Sequence, residues 1–203
     1  MALFPLIGAS RHRLQTDGFG VTTLAAARGC PLRCRMCLNP HALKENTPAK
    51  ELSARELYDL VKIDDLYFRS TGGGVTFGGG EPLLYAEFIR EFRELCGDAW
   101  HLTAETCLNV PAENVRTAAG CVDDFLVDIK DMNPDVYRRY TGRDNARVLE
   151  NLPLLLNAVG PARVVLRVPL IPGFNASEDV KKSAEALGAL GVAKFDFFTY
   201  KVV

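Results

Sequence analysis

The 203-residue sequence has no long apolar run: its longest, Leu152–Val159, is broken by Pro153 and Asn157 and falls well short of the ~20 residues a spanning helix requires. That excludes a transmembrane helix. It has no excess of either charge, since 24 basic and 25 acidic side chains leave a net charge of −1. With a pI near 6.3, the chain offers no broad field to a nucleic-acid backbone or an anionic membrane, so neither is an expected partner. The first ten residues are mildly apolar but lack a basic segment before them and run into Arg11-His12-Arg13, which argues against a signal peptide and for a cytoplasmic protein. No recurrence at a repeat period and no low-complexity linker occurs, so one domain over 1–203 is expected, with 1–20 as an N-terminal extension. The three histidines, His12, His41 and His101, are scattered and read as structural or surface residues.

What is present is an alternation of strand and helix signals. Val21–Arg28 is an apolar run that ends at Gly29-Cys30-Pro31 and reads as a buried strand entering a loop. Ser53-Ala-Arg-Glu56 has the form of a capping box opening a helix. Val75–Phe77 between glycine clusters is a short strand, and Pro82 opens a helix with Leu84, Phe88, Phe92, Leu95 and Cys96 on one face. Strands at 101–108, 124–130, 163–170 and 194–200 then alternate with helical segments at 111–119, 134–140, 146–158 and 177–190. Six strands separated by helices imply an α/β fold with parallel pairing, a partial (β/α)6 barrel by preference and an open doubly wound sheet as the alternative. In both, ligands belong at the carboxyl ends of the strands.

Six cysteines occur, at 30, 34, 37, 96, 107 and 121. Three fall within eight residues, and a chain of this length builds a core without disulfides, so a metal site in a reducing compartment fits better than a disulfide framework. Cys30, Cys34 and Cys37 are separated by three and then two residues. A structural zinc site takes four protein ligands, and only His41 stands near enough to be considered as the fourth. A [4Fe–4S] cube on three thiolates leaves one iron open to an exogenous chelating group, which is the better reading. Cys96, Cys107 and Cys121 lack cluster spacing and read as buried small hydrophobes.

The C-x3-C-x2-C arrangement resembles that of the radical S-adenosylmethionine (SAM) superfamily, and Gly79-Gly80-Glu81-Pro82 resembles the superfamily motif that binds the amino group of SAM. The longer string Gly72–Leu84 is similar to that of glycyl-radical-enzyme activases. So, in order, are Asp17-Gly18-Phe19-Gly20, with Phe in place of Pro, Glu105-Thr106, Asp128-Ile129-Lys130, and Arg167 through Pro172-Gly173. The resemblance runs from about residue 16 to 200. The ferredoxin-like insert of many activases, which would add cysteines between Cys37 and Gly72, is absent.

That resemblance implies a [4Fe–4S] cluster on Cys30, Cys34 and Cys37 and reductive cleavage of SAM to a 5′-deoxyadenosyl radical. The radical would take a hydrogen from a glycine of a partner glycyl-radical enzyme, and the electron would come from a flavodoxin or ferredoxin. SAM contacts are implied for Gly79, Gly80, Glu81, Asp128, Ile129, Lys130 and Arg167. Met36 stands where an aromatic residue usually flanks the adenine, followed by Cys37, Leu38 and Asn39. Glu105, Thr106 and Asp128 resemble the oxygen ligands of a monovalent cation, Na⁺ or K⁺. Lys201 replaces a histidine at the end of the sixth strand, and Val203 follows so closely that one side of the cleft is expected to be less covered. From the residues alone, Asp128 and Lys130 share one face of their strand, where a structural ion pair is the other reading; for Arg167 the other reading is a satisfied core arginine. A small-molecule radical SAM enzyme of the deazaguanine-synthase kind shares the cysteine and Gly-Gly-Glu-Pro motifs, and a non-catalytic iron–sulfur or zinc module is a third reading.

Overall fold

The computed structural model describes residues 1–14 and 16–200. In chain order its elements are β1 (Leu3–Leu14), β2 (Val21–Ala27), β3 (Lys50–Ser53), α1 (Ala54–Val61), α2 (Asp65–Thr71), β4 (Gly74–Gly79), α3 (Ala86–Cys96) and β5 (His101–Thr106). There follow α4 (Ala112–Ala119), β6 (Asp124–Asp128), α5 (Pro134–Thr141), α6 (Ala146–Val159), β7 (Val164–Leu170), α7 (Ser177–Ala189) and β8 (Lys194–Thr199). The capping box forms as the sequence predicts: Glu56 N donates to Ser53 Oγ and Ser53 N donates to Glu56 Oε2, satisfying two otherwise orphaned donors at the start of α1.

All strands lie in one sheet of order β3-β1-β2-β4-β5-β6-β7-β8. From β2 to β8 the neighbours are parallel and follow chain order without reversal. A doubly wound sheet requires a reversal, so that alternative falls. Leu24 on β2, Glu105 on β5, Arg167 on β7 and Asp196 on β8 all line one cavity, so the sheet curls around it as a partial barrel. β3 and β8 are its two edges. No helix among the described residues is long and apolar enough to cross a membrane.

The glycine run that opens β4 is a packing requirement. A Cβ on Gly73 would lie 2.0 Å from Val21 O, and one on Gly74 2.2 Å from His101 O, so β4 approaches β2 and β5 at a distance only glycine permits. Behind the sheet, Phe4, Phe77, Phe88, Phe92 and Trp100 are fully buried, with Phe4 stacked on Phe88 at 4.9 Å and Phe77 edge-on to Phe92 at 5.5 Å.

Two strands escape the sequence reading. The segment taken as an extension contains β1, which pairs antiparallel with β2 from Leu6↔Ala27 to Leu14↔Val21 and carries β3 on its outer edge. Phe4 anchors it; burying such a side chain is worth about 2–3 kcal/mol. The outer half of β1 is exposed and polar, so its sequence shows no sustained alternation. Tertiary contacts hold it instead: Arg11 Nη2 and His12 Nε2 reach the buried Asp64 carboxylate at 2.5 and 3.0 Å, and Thr23 Oγ1 joins them at 3.2 Å.

Candidate active site

At the carboxyl ends of the parallel strands lies a cavity of about 520 Å³. Cys30, Cys34 and Cys37, on the loop after β2, all line it. The loop is fixed by its backbone: Arg33 N and Arg35 N donate to Thr141 O and Tyr140 O at the end of α5, and Arg33 Nη1 returns to Cys30 O at 2.6 Å. It is joined to the glycine turn as well. Gly80 N donates to Ala27 O and Glu81 N to Gly29 O, while Asn39 Nδ2 donates to Gly79 O at 3.2 Å. A Cβ on Gly80 would sit 2.1 Å from Gly29 O, which explains why that position has no side chain.

The three thiols have different environments. Burial pushes Cys34 up to about 11 and raises Cys37. Cys30 moves down, with its neighbour Cys107 as the main cause. Cys107 is the residue that spacing alone misses: like Cys96 and Cys121 it is buried, but it also lies on the cavity wall against Cys30. Its only sequence signal is its place directly after Glu105-Thr106 at a strand end.

Two ion pairs face the thiols. Lys130 Nζ is 3.3 Å from Asp128 Oδ2 and donates to the Tyr200 hydroxyl at 3.1 Å. Burial is the largest single influence and works against its charge, but Asp128, Tyr200 and Cys34 together outweigh it and hold the ammonium well above its usual range. Arg167 Nη2 is 2.8 Å from Glu105 Oε1, and its Nε is 3.9 Å from Asp196 Oδ2. Burial raises the Glu105 carboxyl while Arg167 opposes the rise.

Several expected contacts are placed elsewhere. Glu81 is fully buried and does not line the cavity. Its Oε1 accepts from Leu83 N at 3.0 Å and Thr106 Oγ1 at 2.8 Å, and its Oε2 from Cys107 N at 2.8 Å. In this arrangement Glu81 caps the short helical turn Pro82–Tyr85 and ties the glycine turn to the end of β5. Ile129 packs in the core, and Met36 packs beside Tyr140, Ile171 and Tyr200 instead of on the cavity wall. Glu105, Thr106 and Asp128 reach the cavity, but each is engaged already, Glu105 by Arg167, Asp128 by Lys130, and Thr106 by Glu81 and Leu108 N. Leu38 and Asn39 line the cavity as expected. Lys201 lies outside the described residues.

Among the described residues no three His, Cys, Asp or Glu side chains converge on a single metal ion. This does not match a mononuclear zinc site, whereas an iron–sulfur cube takes each thiolate on a separate iron and needs the three only to face one space, as they do here.

The chain matches the radical SAM superfamily over residues 25–187. It is 33% identical over 204 residues to the pyruvate formate-lyase-activating enzyme of Staphylococcus epidermidis, covering 91% of this chain and 76% of that protein. It is 30% identical over 223 residues to the isethionate sulfite-lyase activating enzyme of Desulfovibrio desulfuricans, covering 80% and 72%. Among solved structures, a domain of a pyruvate-formate lyase-activating enzyme from Bacteroides vulgatus superposes with a TM-score of 0.55 at 32% identity, covering 64% of this chain and 81% of that one.

Proposed function

The chain belongs to the radical SAM superfamily and, within it, to the glycyl-radical-enzyme activating family, and we propose that it is an oxidoreductase that generates a glycyl radical in a partner enzyme. The observation that supports this most directly is the convergence of Cys30, Cys34 and Cys37 with two ion pairs on one cavity at the strand ends. When bound, a [4Fe–4S] cluster and SAM supply one-electron cleavage of the S–C5′ bond, giving methionine and a 5′-deoxyadenosyl radical that takes a Cα hydrogen from glycine.

The protein's own residues bind and orient. Cys30, Cys34 and Cys37 would hold the cluster, with Cys107 on the wall of the same cavity. Asp128 and Glu105 offer carboxylates to a ligand ammonium, and Lys130 and Arg167 offer cations to its carboxylate, so the wall complements an amino-acid zwitterion. Gly79 and Gly80 leave the backbone bare beside that wall. Lys130 is buried and Glu105 partly buried in the cavity wall, which strengthens their electrostatic contacts with a ligand. The partner is a glycyl-radical enzyme acting as a protein substrate, the electron donor a flavodoxin or ferredoxin, and the compartment the cytoplasm.

The test is anaerobic incubation of the reconstituted protein with dithionite and SAM, with and without candidate glycyl-radical enzymes. Formation of 5′-deoxyadenosine together with a glycyl doublet in the paramagnetic resonance spectrum is expected. Cleavage coupled only to a small molecule, with no glycyl signal in any candidate, overturns the activase reading.

A further inference from the structure

The cysteine loop turns its thiols inward and its arginines outward. Arg33 and Arg35, which alternate with the cysteines, are exposed, and the loop rests on the end of α5 through Arg33 N to Thr141 O at 2.8 Å and Arg35 N to Tyr140 O at 3.1 Å. That contact seats the loop on the α5–α6 turn, where a Cβ on Gly142 would lie 3.8 Å from Arg33 Cβ, and Arg138, Arg139, Arg143 and Arg147 are exposed along the end of α5, this turn and the start of α6. Arg143 Nε also reaches Pro31 O at 3.3 Å.

None of these six arginines forms an ion pair among the described residues. Every other arginine except Arg163 does. Arg33, Arg139 and Arg143 donate to backbone carbonyls, which satisfies their N–H groups but leaves the charge uncompensated. The same elements carry only three carboxylates, Asp135, Asp144 and Glu150. Complementing the dipole at the end of α5 accounts for Arg138 and Arg139. It does not account for the loop placing two more guanidinium groups at the same spot, where like charges repel.

We propose that this arginine face is the docking surface for an acidic electron-carrier protein. The inference rests on the reading of the site as one that consumes an electron. In each transfer the carrier is oxidised by one electron and the cluster reduced by one. A carrier seated here meets the outer side of the loop whose thiols line the cavity. Arginine forks suit surface carboxylates, and redox encounters are small, steered by charge and weakened by salt. The chain as a whole is near neutral, so the attraction is local to this face.

The probe is an acidic flavodoxin, titrated anaerobically against the reconstituted protein by calorimetry at low and high salt. Arg138→Glu/Arg147→Glu changes two guanidinium groups that hold no bond among the described residues. It should weaken flavodoxin affinity at low salt by roughly tenfold or more and slow flavodoxin-driven bleaching of the cluster absorbance. Dithionite-driven bleaching and iron content should be unchanged, and Arg55→Glu/Arg69→Glu, on α1 and α2, should leave binding as it was. Equal affinity in the Arg138/Arg147 variant overturns the proposal. So does loss of affinity for a glycyl-radical enzyme or for DNA with flavodoxin binding intact. If dithionite yields no SAM cleavage in either protein, the reading of the site fails instead, and the binding data still decide the docking surface.

Discussion

Arg167 on β7 reaches past β6 to Glu105 on β5, with Nη2 2.8 Å from Oε1, so two strands that are not neighbours are tied across the cavity wall. Both side chains are mostly buried. Arg167→Ala strands a carboxylate that burial already disfavours and should cost about 2 kcal/mol by urea unfolding. Adding Glu105→Gln should return part of that loss, and simple additivity of the two changes would show that the pair is not coupled.

Glu81 satisfies Leu83 N, Thr106 Oγ1 and Cys107 N from the interior. Glu81→Ala should therefore lower the thermal midpoint of the protein without cluster or SAM, by an amount near 3 kcal/mol of stability, and Glu81→Gln by less. An unchanged midpoint in the Ala variant would return Glu81 to a role in ligand binding alone.

The glycines at the entrance to β4 are distinguishable from an ordinary glycine. Gly73→Ala must push against Val21 O and should destabilise by on the order of 3 kcal/mol. Gly8→Ala meets nothing within 4 Å and should stay within about 0.5 kcal/mol of the parent in the same urea titration.

His101 Nε2 bonds Asp124 Oδ2 at 2.8 Å, and that hydrogen bond raises the imidazole pKa above its ordinary value. A raised folded-state pKa adds stability that is fully present below the unfolded value near 6.5 and disappears as pH rises through the folded value. His101→Gln should be less stable than the parent by ~0.2–1 kcal/mol in acid, as for a partly exposed pair. The gap should shrink from pH 5.5 to pH 9. A gap that widens with pH would contradict the assignment.

Anaerobic reconstitution separates the two groups of cysteines. Replacing Cys30, Cys34 or Cys37 with Ala should abolish the ~four iron and four sulfide expected of a [4Fe–4S] centre. Cys96→Ala and Cys121→Ala should leave both unchanged, since these thiols lie off the cavity. Cys107→Ala should retain the cluster, because the contact of Cys107 with Glu81 Oε2 runs through its backbone.

Local sequence determined much of this protein. The strand-helix alternation, the capping box at Ser53 and the cysteine spacing depend on residues a few positions apart, and periodicity and caps record such relations directly. The same holds for Asp128 and Lys130, whose separation by two places both on one wall. Tertiary structure alone decided the rest. β1 is a strand because β2 and Phe4's aromatic neighbours receive it, not because its own residues alternate. Glu81 faces inward because two donors at the end of β5, Thr106 Oγ1 and Cys107 N, meet it there beside Leu83 N of its own turn. Cys107 meets Cys30, and the arginines of two distant segments share one face, through chain crossings that spacing does not encode. A side chain's partner is set by which backbones the sheet brings together, and desolvation then fixes whether that partner is a ligand, a cap or a counter-ion.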